Sequence, residues 1–328
     1  MSTLAETHVK IDFIVPVSAH DWEADSYAKA YAGIGHLNQV VHAEANDAEA
    51  VLEALERSKA DGFIFLAGDQ YLSFLHDTQE KSSRIQGLGR PTLCYYGEPI
   101  KNNPIPWMPP RAEAARAVYT HHAFAYEADS EFFKEEFKAG RAMLSPFAAD
   151  PDLFTSTTPP SERKPIILFT GKTTDFGIKG SAVYERRRRL ARRLVDRRLA
   201  HVTYRPELTW PQYVQLLNQH LAFIVLPGLN DLADGFSRKA FEVMAGGCLL
   251  LHPAQSPGSQ SAGMLRDGEH CLYYNGEDED GLEAFIHALA QRNGGDLVSI
   301  ALAGRREVLD GHTLEHRALG LTRFCLGL

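Results

Sequence analysis

Residues 221–252 read LAFIVLPGLNDLADGFSRKAFEVMAGGCLLLH. An apolar run at 221–226 gives way to a Pro-Gly turn, an acidic loop, a stretch of helical pattern and a second apolar run at 248–251. Ser237 stands where a helix needs an N-cap, and Gly246 and Gly247 stand where it needs a stop. The order is therefore strand, loop, helix, strand, the repeating unit of a parallel sheet. In such a sheet ligands collect outside the carboxyl ends of the strands. A helix that begins there offers N–H groups and the positive end of its dipole to a phosphate. Arg238 and Lys239 follow the cap directly, and Asp234 and Glu242 bracket the helix start with seven residues between them.

The same alternation runs through the rest of the chain. Strand patterns fall at residues 9–17, 39–42, 62–67 and 92–96, with helix patterns at 24–32 and 47–59. After Asp150 the pattern restarts. Residues 155–164 carry Pro159 and Pro160 among Ser and Thr, with Pro165 next, which reads as a linker. Strand patterns then recur at 166–169, 201–204, 223–226 and 248–251. An α/β fold of two doubly wound, Rossmann-like domains is expected, residues 1–155 and 156–328, with a ligand cleft between their carboxyl edges.

Composition agrees with this plan and excludes several classes. A chain of 328 residues with 44% hydrophobic and 23% charged content can bury two cores of ordinary size. No apolar stretch approaches the roughly 18 to 20 residues that cross a bilayer, and the opening MSTLAETHVK lacks a charged-then-apolar signal layout. The expectation is a cytoplasmic protein. The four cysteines, Cys94, Cys248, Cys271 and Cys325, are scattered without a C-x-x-C pair, which argues against a zinc site and a disulfide framework. A net charge of −8 argues against general nucleic-acid binding.

The Asp234/Glu242 pair resembles the acidic-x7-acidic signature of group 1, or family 4, glycosyltransferases, with Asp where the first member is usually Glu. Upstream, PIILFTGKTTDFGIKGSAVYERRRRL at 165–190 is similar to the segment in which those enzymes carry a Gly-Arg pair and then a Lys-Gly pair. Gly171-Lys172 and Lys179-Gly180 match, with Lys172 in place of Arg. YERRRRL at 184–190 and HTLEHRAL at 312–319 resemble the subgroup related to the spore maturation protein CgeB, and SPFAADPDLF at 145–154 resembles the hinge phrase before the second domain. The likeness spans about residues 120–319 and is loose before that.

The resemblance implies the GT-B arrangement, a nucleoside-diphosphate sugar as donor, and neither cofactor nor bound metal. Breaking the anomeric C–O bond leaves two negative phosphates, which cations must hold. Gly171, Lys172, Lys179, Ser237, Arg238 and Lys239 would form that cradle, Lys172 acting as a point charge where Arg would fork onto two oxygens. Glu242 would reach the ribose diol and Asp234 the sugar hydroxyls. The plainer readings are solvated loop lysines, a surface glutamate, and a turn-forming Asp in DLADGF. The last helix would cross back to the first domain.

In the first half, PVSAHDW at 16–22 follows the first strand and offers His20, Asp21 and Trp22. An inverting enzyme would need His20 as a base; under retention it would contact the sugar. His121 and His122 are the rival pair, and a structural role stands beside the functional one for each. The arginines at 186–189, 192, 193, 197 and 198 fan around a helix whose apolar stripe is Leu190, Leu194 and Val195. They read either as a solvated face or as a site for an acidic acceptor, with Arg186 aimed at phosphate. The acceptor could be a glycan, protein, lipid or small molecule. A nucleotide-sugar epimerase or hydrolase of the same fold, and a non-catalytic nucleotide-sugar-binding protein, are the competing readings.

Overall fold

A computed structural model describes residues 9–17, 21–69, 71–97, 100, 108–127, 141–171, 182–196, 202–205, 208–227, 235–276 and 278–328. The chain divides into two compact units, residues 1–146 with 314–328, and residues 147–313.

The described elements of the first unit are β1 (Ile11–Pro16), α1 (Asp21–Gly33), β2 (Leu37–Ala43), α2 (Ala48–Arg57), β3 (Gly62–Leu66), α3 (Gln79–Gln86), β4 (Thr92–Tyr96), α4 (Met108–Val118), β5 (His121–Phe124) and β6 (Ala142–Leu144). All strand pairs are parallel, in the order β2-β1-β3-β4-β5-β6. Central strands β1, β3 and β4 are buried at every position, as a sheet covered on both faces requires. The polar exception in β1 is Asp12, 0% exposed, whose carboxylate accepts from Asn38 Nδ2 at 2.7 Å and Gln39 Nε2 at 2.9 Å on the adjacent strand.

The second unit continues with β7 (Lys164–Thr170), α5 (Ala182–Asp196), β8 (Val202–Arg205), α6 (Trp210–Gln219), β9 (His220–Ile224), α7 (Arg238–Ala245), β10 (Leu249–Pro253), α8 (Gln260–Met264), β11 (Leu272–Tyr274), α9 (Glu279–Ala290) and α10 (Gly294–Gly311). Its sheet is parallel throughout, in the order β11-β10-β9-β7-β8. The chain moves outward from β7 to β8, then returns past β7 to β9 and proceeds the other way. The strand order therefore reverses between β7 and β9, and their carboxyl ends flank the place where such sheets bind ligands.

Two expectations need correction. The division lies between Pro146 and Phe147, not between 155 and 156. Phe154 is fully buried, edge-on to Trp210 at 6.2 Å and Tyr213 at 6.1 Å, so the residues after 146 already belong to the second core. The segment read as a linker is likewise packed. Asn218 Oδ1 accepts from Thr157 N at 2.7 Å and Thr158 N at 3.2 Å, and Arg163, 5% exposed, donates to Thr158 O, Leu217 O and Ser156 Oγ. Proline, serine and threonine mark a break in regular structure without saying whether its backbone finds side-chain partners. The last helix, α11 (Leu314–Leu326), belongs to the first unit, where it packs on α1 and β3.

Close packing also fixes α10. A Cβ at Gly304 would collide with the carbonyl oxygen of His270 and lie 2.9 Å from Met244 Cε, whereas one at Gly294, at the start of the same helix, meets nothing within 4 Å. We expect Gly304→Ala to destabilise by about 1–3 kcal/mol, and Gly294→Ala to stay within about 0.5 kcal/mol of the parent. Paired denaturant titrations check the difference.

Candidate functional site

The carboxyl ends of β7 and β9 and the start of α7 meet at the point of strand reversal. β7 ends at Thr170, and Gly171 follows with φ +141°, a conformation that favours glycine. Helix α7 starts where the sequence places it. Among the described residues, Ser237 is the N-cap by backbone conformation and its side chain makes no capping bond. The N–H groups of a helix start can bind an anion. The helix stops at Gly246, and Gly247 takes φ +79° with its N–H on Met244 O at 2.9 Å.

Two adjacent cations stand in the first turn of α7. Arg238 Nε donates to Glu242 Oε1 at 2.9 Å, one helical turn on, and its guanidinium lies 5.9 Å from the Trp210 ring centre. Lys239 Nζ donates to Thr170 Oγ1 at 3.0 Å and sits over the rings of Tyr213 and Phe223 at 5.2 and 5.7 Å. It would lie 4.0 Å from a Cβ on Gly171. Burial lowers the Lys239 pKa to about 8, opposed by the Glu242 carboxylate and assisted by Arg187 and Arg238. Glu242 itself is 1% exposed. Burial first, and the Glu242 charge second, pushes the Tyr213 phenol well above its ordinary value.

A third cation reaches the same edge from α5. Arg187 donates through Nε to Pro227 O at 2.9 Å and through Nη2 to Leu226 O at 3.1 Å, directly after β9. The site so described is a polar rim with three cationic side chains, one of them held at reduced basicity. Such a group can neutralise a polyanionic leaving group as charge develops on it.

Comparison with known proteins bears on both the region and the whole chain. Residues 169–322 match the family model described as glycosyl transferase-like. HepE from Anabaena, solved with UDP and glucose, superposes with a TM-score of 0.64 at 9% identity, covering 98% of this chain and 100% of that one. Sucrose-phosphate synthase from Thermosynechococcus elongatus gives 0.62 at 13% identity, covering 96% and 98%. A UDP-forming α,α-trehalose-phosphate synthase from Burkholderia xenovorans gives 0.61 at 12%, covering 97% and 98%. The chain has the GT-B fold. A search of curated proteins found no significant match.

Within this GT-B chain, Gly171, Ser237, Arg238, Lys239 and Glu242 gather at the strand reversal of the second sheet. Lys172, Lys179, Asp234 and His20 lie outside the described residues. Glu242, expected at a ribose, has its carboxylate enclosed and paired with Arg238. Thr170, Trp210, Tyr213 and Arg187 were not singled out from sequence. The arginine run signalled Arg187, but helical spacing alone does not say which of its members meets the strand end.

The arginine helix does not present a free basic face. Arg193 pairs with Glu279, Asp280 and Glu283, Arg189 with Glu279 at 3.2 Å, and Arg186 with the Gly276 carbonyl. Helix α9 supplies these acids, so the expected site for an acidic acceptor is largely neutralised from within; Arg197 and Arg198 lie outside the described residues. Of the rival histidines, His122 is 1% exposed, meets Tyr96 Oη at 2.9 Å and Tyr119 O at 3.2 Å, and is lowered to about 3 by burial. His121 is half-buried, edge-on to Phe324 at 5.3 Å. Both serve the packing of the first unit. Among the described residues no helix is long and apolar enough to cross a membrane, and no group of three or more His, Cys, Asp or Glu is placed to hold a metal ion.

Lys239 makes a direct prediction. Its depressed folded-state pKa means that the unfolded chain holds a proton the folded one has released between about pH 8 and the ordinary value of 10.5, so this group adds stability as pH rises through that window. In Lys239→Met that contribution is absent. We expect the variant to match or exceed the parent's melting temperature at about pH 7, with the gap narrowing as pH rises above about 8, followed by calorimetry across the range.

Proposed function

We propose that the protein transfers a sugar from a nucleoside-diphosphate sugar to an acceptor hydroxyl, with retention of anomeric configuration and without a bound metal. The observation that carries this reading is the convergence of Arg187, Arg238 and Lys239 beside Gly171 and the start of α7. Cations on glycine-opened backbone next to a helix start suit a diphosphate, and three of them supply the charge that a divalent ion would otherwise bring.

In the transfer the anomeric C–O bond breaks and its electron pair stays on the diphosphate oxygen. The acceptor oxygen forms the new bond and passes its proton to the departing diphosphate oxygen. Arg187, Arg238 and Lys239 act on the leaving diphosphate, joined by Lys172 and Lys179 from the segment that follows Gly171. Asp234 holds sugar hydroxyls. Glu242 serves first as the anionic partner that keeps Arg238 in place and supports the charge on Lys239. His20 contacts the sugar. The likeness of 184–190 and 312–319 to the CgeB-related subgroup supports a nucleotide sugar as donor, leaving the acceptor class open.

Thermal shift against a panel of nucleotide sugars tests the donor, because a ligand that binds only the folded state raises the melting temperature. Lys239→Met should weaken diphosphate affinity by about 1.5–3 kcal/mol, the range for a charged hydrogen bond, without loss of fold. Turnover should persist in EDTA. Requirement for added manganese or magnesium would overturn the metal-free reading, and a product of inverted configuration would make His20 the base. Donor hydrolysis with no acceptor-dependent turnover would favour the hydrolase reading.

A further inference from the structure

The line of cations in the second unit ends against an aromatic ring. Lys239 Nζ donates to Thr170 Oγ1 at 3.0 Å. Arg238, its neighbour in sequence, donates to Glu242 Oε1 at 2.9 Å and holds its guanidinium 5.9 Å from the centre of the Trp210 ring. Trp210 opens α6, the helix that follows β8, and Arg205 at the end of β8 lies in register with Thr170 at the end of β7. A capping box fixes that helix start: Thr209 N donates to Gln212 Oε1 at 3.0 Å, and Tyr213 N donates to Thr209 O at 2.9 Å. The indole packs nearly at right angles on Phe154 and Tyr213, at 6.2 and 6.0 Å. Those two rings are buried, whereas Trp210 is part-exposed and the Arg238 side chain keeps 23% of its surface in solvent.

A ring fixed at its backbone, packed on core and still open beside a cation can take a flat partner. Because it is set in place before any ligand arrives, little ordering entropy is lost when one stacks on it. Glu242 is enclosed, so of these groups it is the indole and the guanidinium that a ligand can reach. A nucleoside diphosphate carries a planar heteroaromatic base joined to its first phosphate through a single ribose. One nucleotide can therefore meet both a ring and a cation held this close together. We infer that Trp210 is the stacking platform for the nucleobase of the donor, with Arg238 beside it for the first phosphate. This rests on the glycosyl-transfer reading above and adds to it the residue that holds the base. Every base has a π face, so Trp210 supplies affinity for the nucleoside and leaves the choice among bases to other groups.

Calorimetry with UDP, GDP, ADP and inorganic pyrophosphate on the parent, Trp210→Leu and Trp210→Phe separates base from phosphate. For Trp210→Leu we expect a loss of about five- to hundredfold in affinity for each nucleoside diphosphate that binds the parent, with pyrophosphate affinity unchanged. Trp210→Phe keeps an aromatic face and should recover most of the loss. Equal losses for nucleoside diphosphate and pyrophosphate mark a merely structural ring and overturn the inference, as does no loss for either. Where Trp210→Leu does not fold, or pyrophosphate binds too weakly to measure, fluorescence carries the test. A nucleoside diphosphate should lower indole emission in the parent and leave it largely unchanged in Trp210→Phe. No drop in the parent, or one of equal size in Trp210→Phe, overturns the inference. A parent that binds pyrophosphate as tightly as every nucleoside diphosphate fails the glycosyl-transfer reading and the Trp210 role together. Donor turnover in the parent with unaltered nucleoside diphosphate affinity in Trp210→Leu fails the Trp210 role alone.

Discussion

The ion pair between Arg238 and the enclosed Glu242 carboxylate sets what the second unit can do at its strand ends. A buried carboxylate is costly unless a cation and hydrogen bonds satisfy it, and removing one partner of such a pair is strongly destabilising. Here the pairing joins residues four apart on one short helix, so the helix carries its own counter-charge. With that charge in place Lys239 can stand next in sequence to Arg238 in a half-buried position. Its ammonium is confined by Tyr213, Phe223 and Thr170, and it surrenders its proton more readily than an ordinary lysine. A cation kept in a place that disfavours its charge fits the proposed diphosphate site.

The second sheet supplies the geometry that makes the arrangement useful. Strand order reverses between β7 and β9, and α7 begins beside their carboxyl ends. Arg187 enters from α5 and ties itself to the carbonyls of Leu226 and Pro227, so the third cation is fixed to the strand end and not to the helix. Gly171 keeps the approach to Lys239 free of a side chain.

Much of this was legible in the sequence. The strand-loop-helix-strand reading of 221–252 places Ser237, Gly246 and Gly247 where the structure has them, because caps and stops depend on local backbone chemistry. The strand at Thr92–Tyr96 was readable for a similar reason, being a continuous apolar run. Edge strands were harder. β6 and β11 have three residues each, too few for any period to show. Residues 155–163 were misread because Asn218 and Arg163, which hold them, act on backbone groups far from where composition is judged. The arginine helix was ambiguous for want of its partner: Glu279, Asp280 and Glu283 lie some ninety residues away, as the separation of 90 between Arg193 and Glu283 shows.

Where α11 belongs has a consequence for how the chain is made. The second unit is one uninterrupted stretch, residues 147–313, whereas the first is completed only by residues 314–328. Domains ordinarily fold in the order in which the ribosome delivers them. In this chain the first unit emerges first yet waits for α11 to cover α1 and β3, while the second already has all of its strands. The apolar surfaces that α11 covers therefore stay exposed until residues 314–328 are released, and a nascent chain that has released residues up to 313 has a complete second unit and an incomplete first.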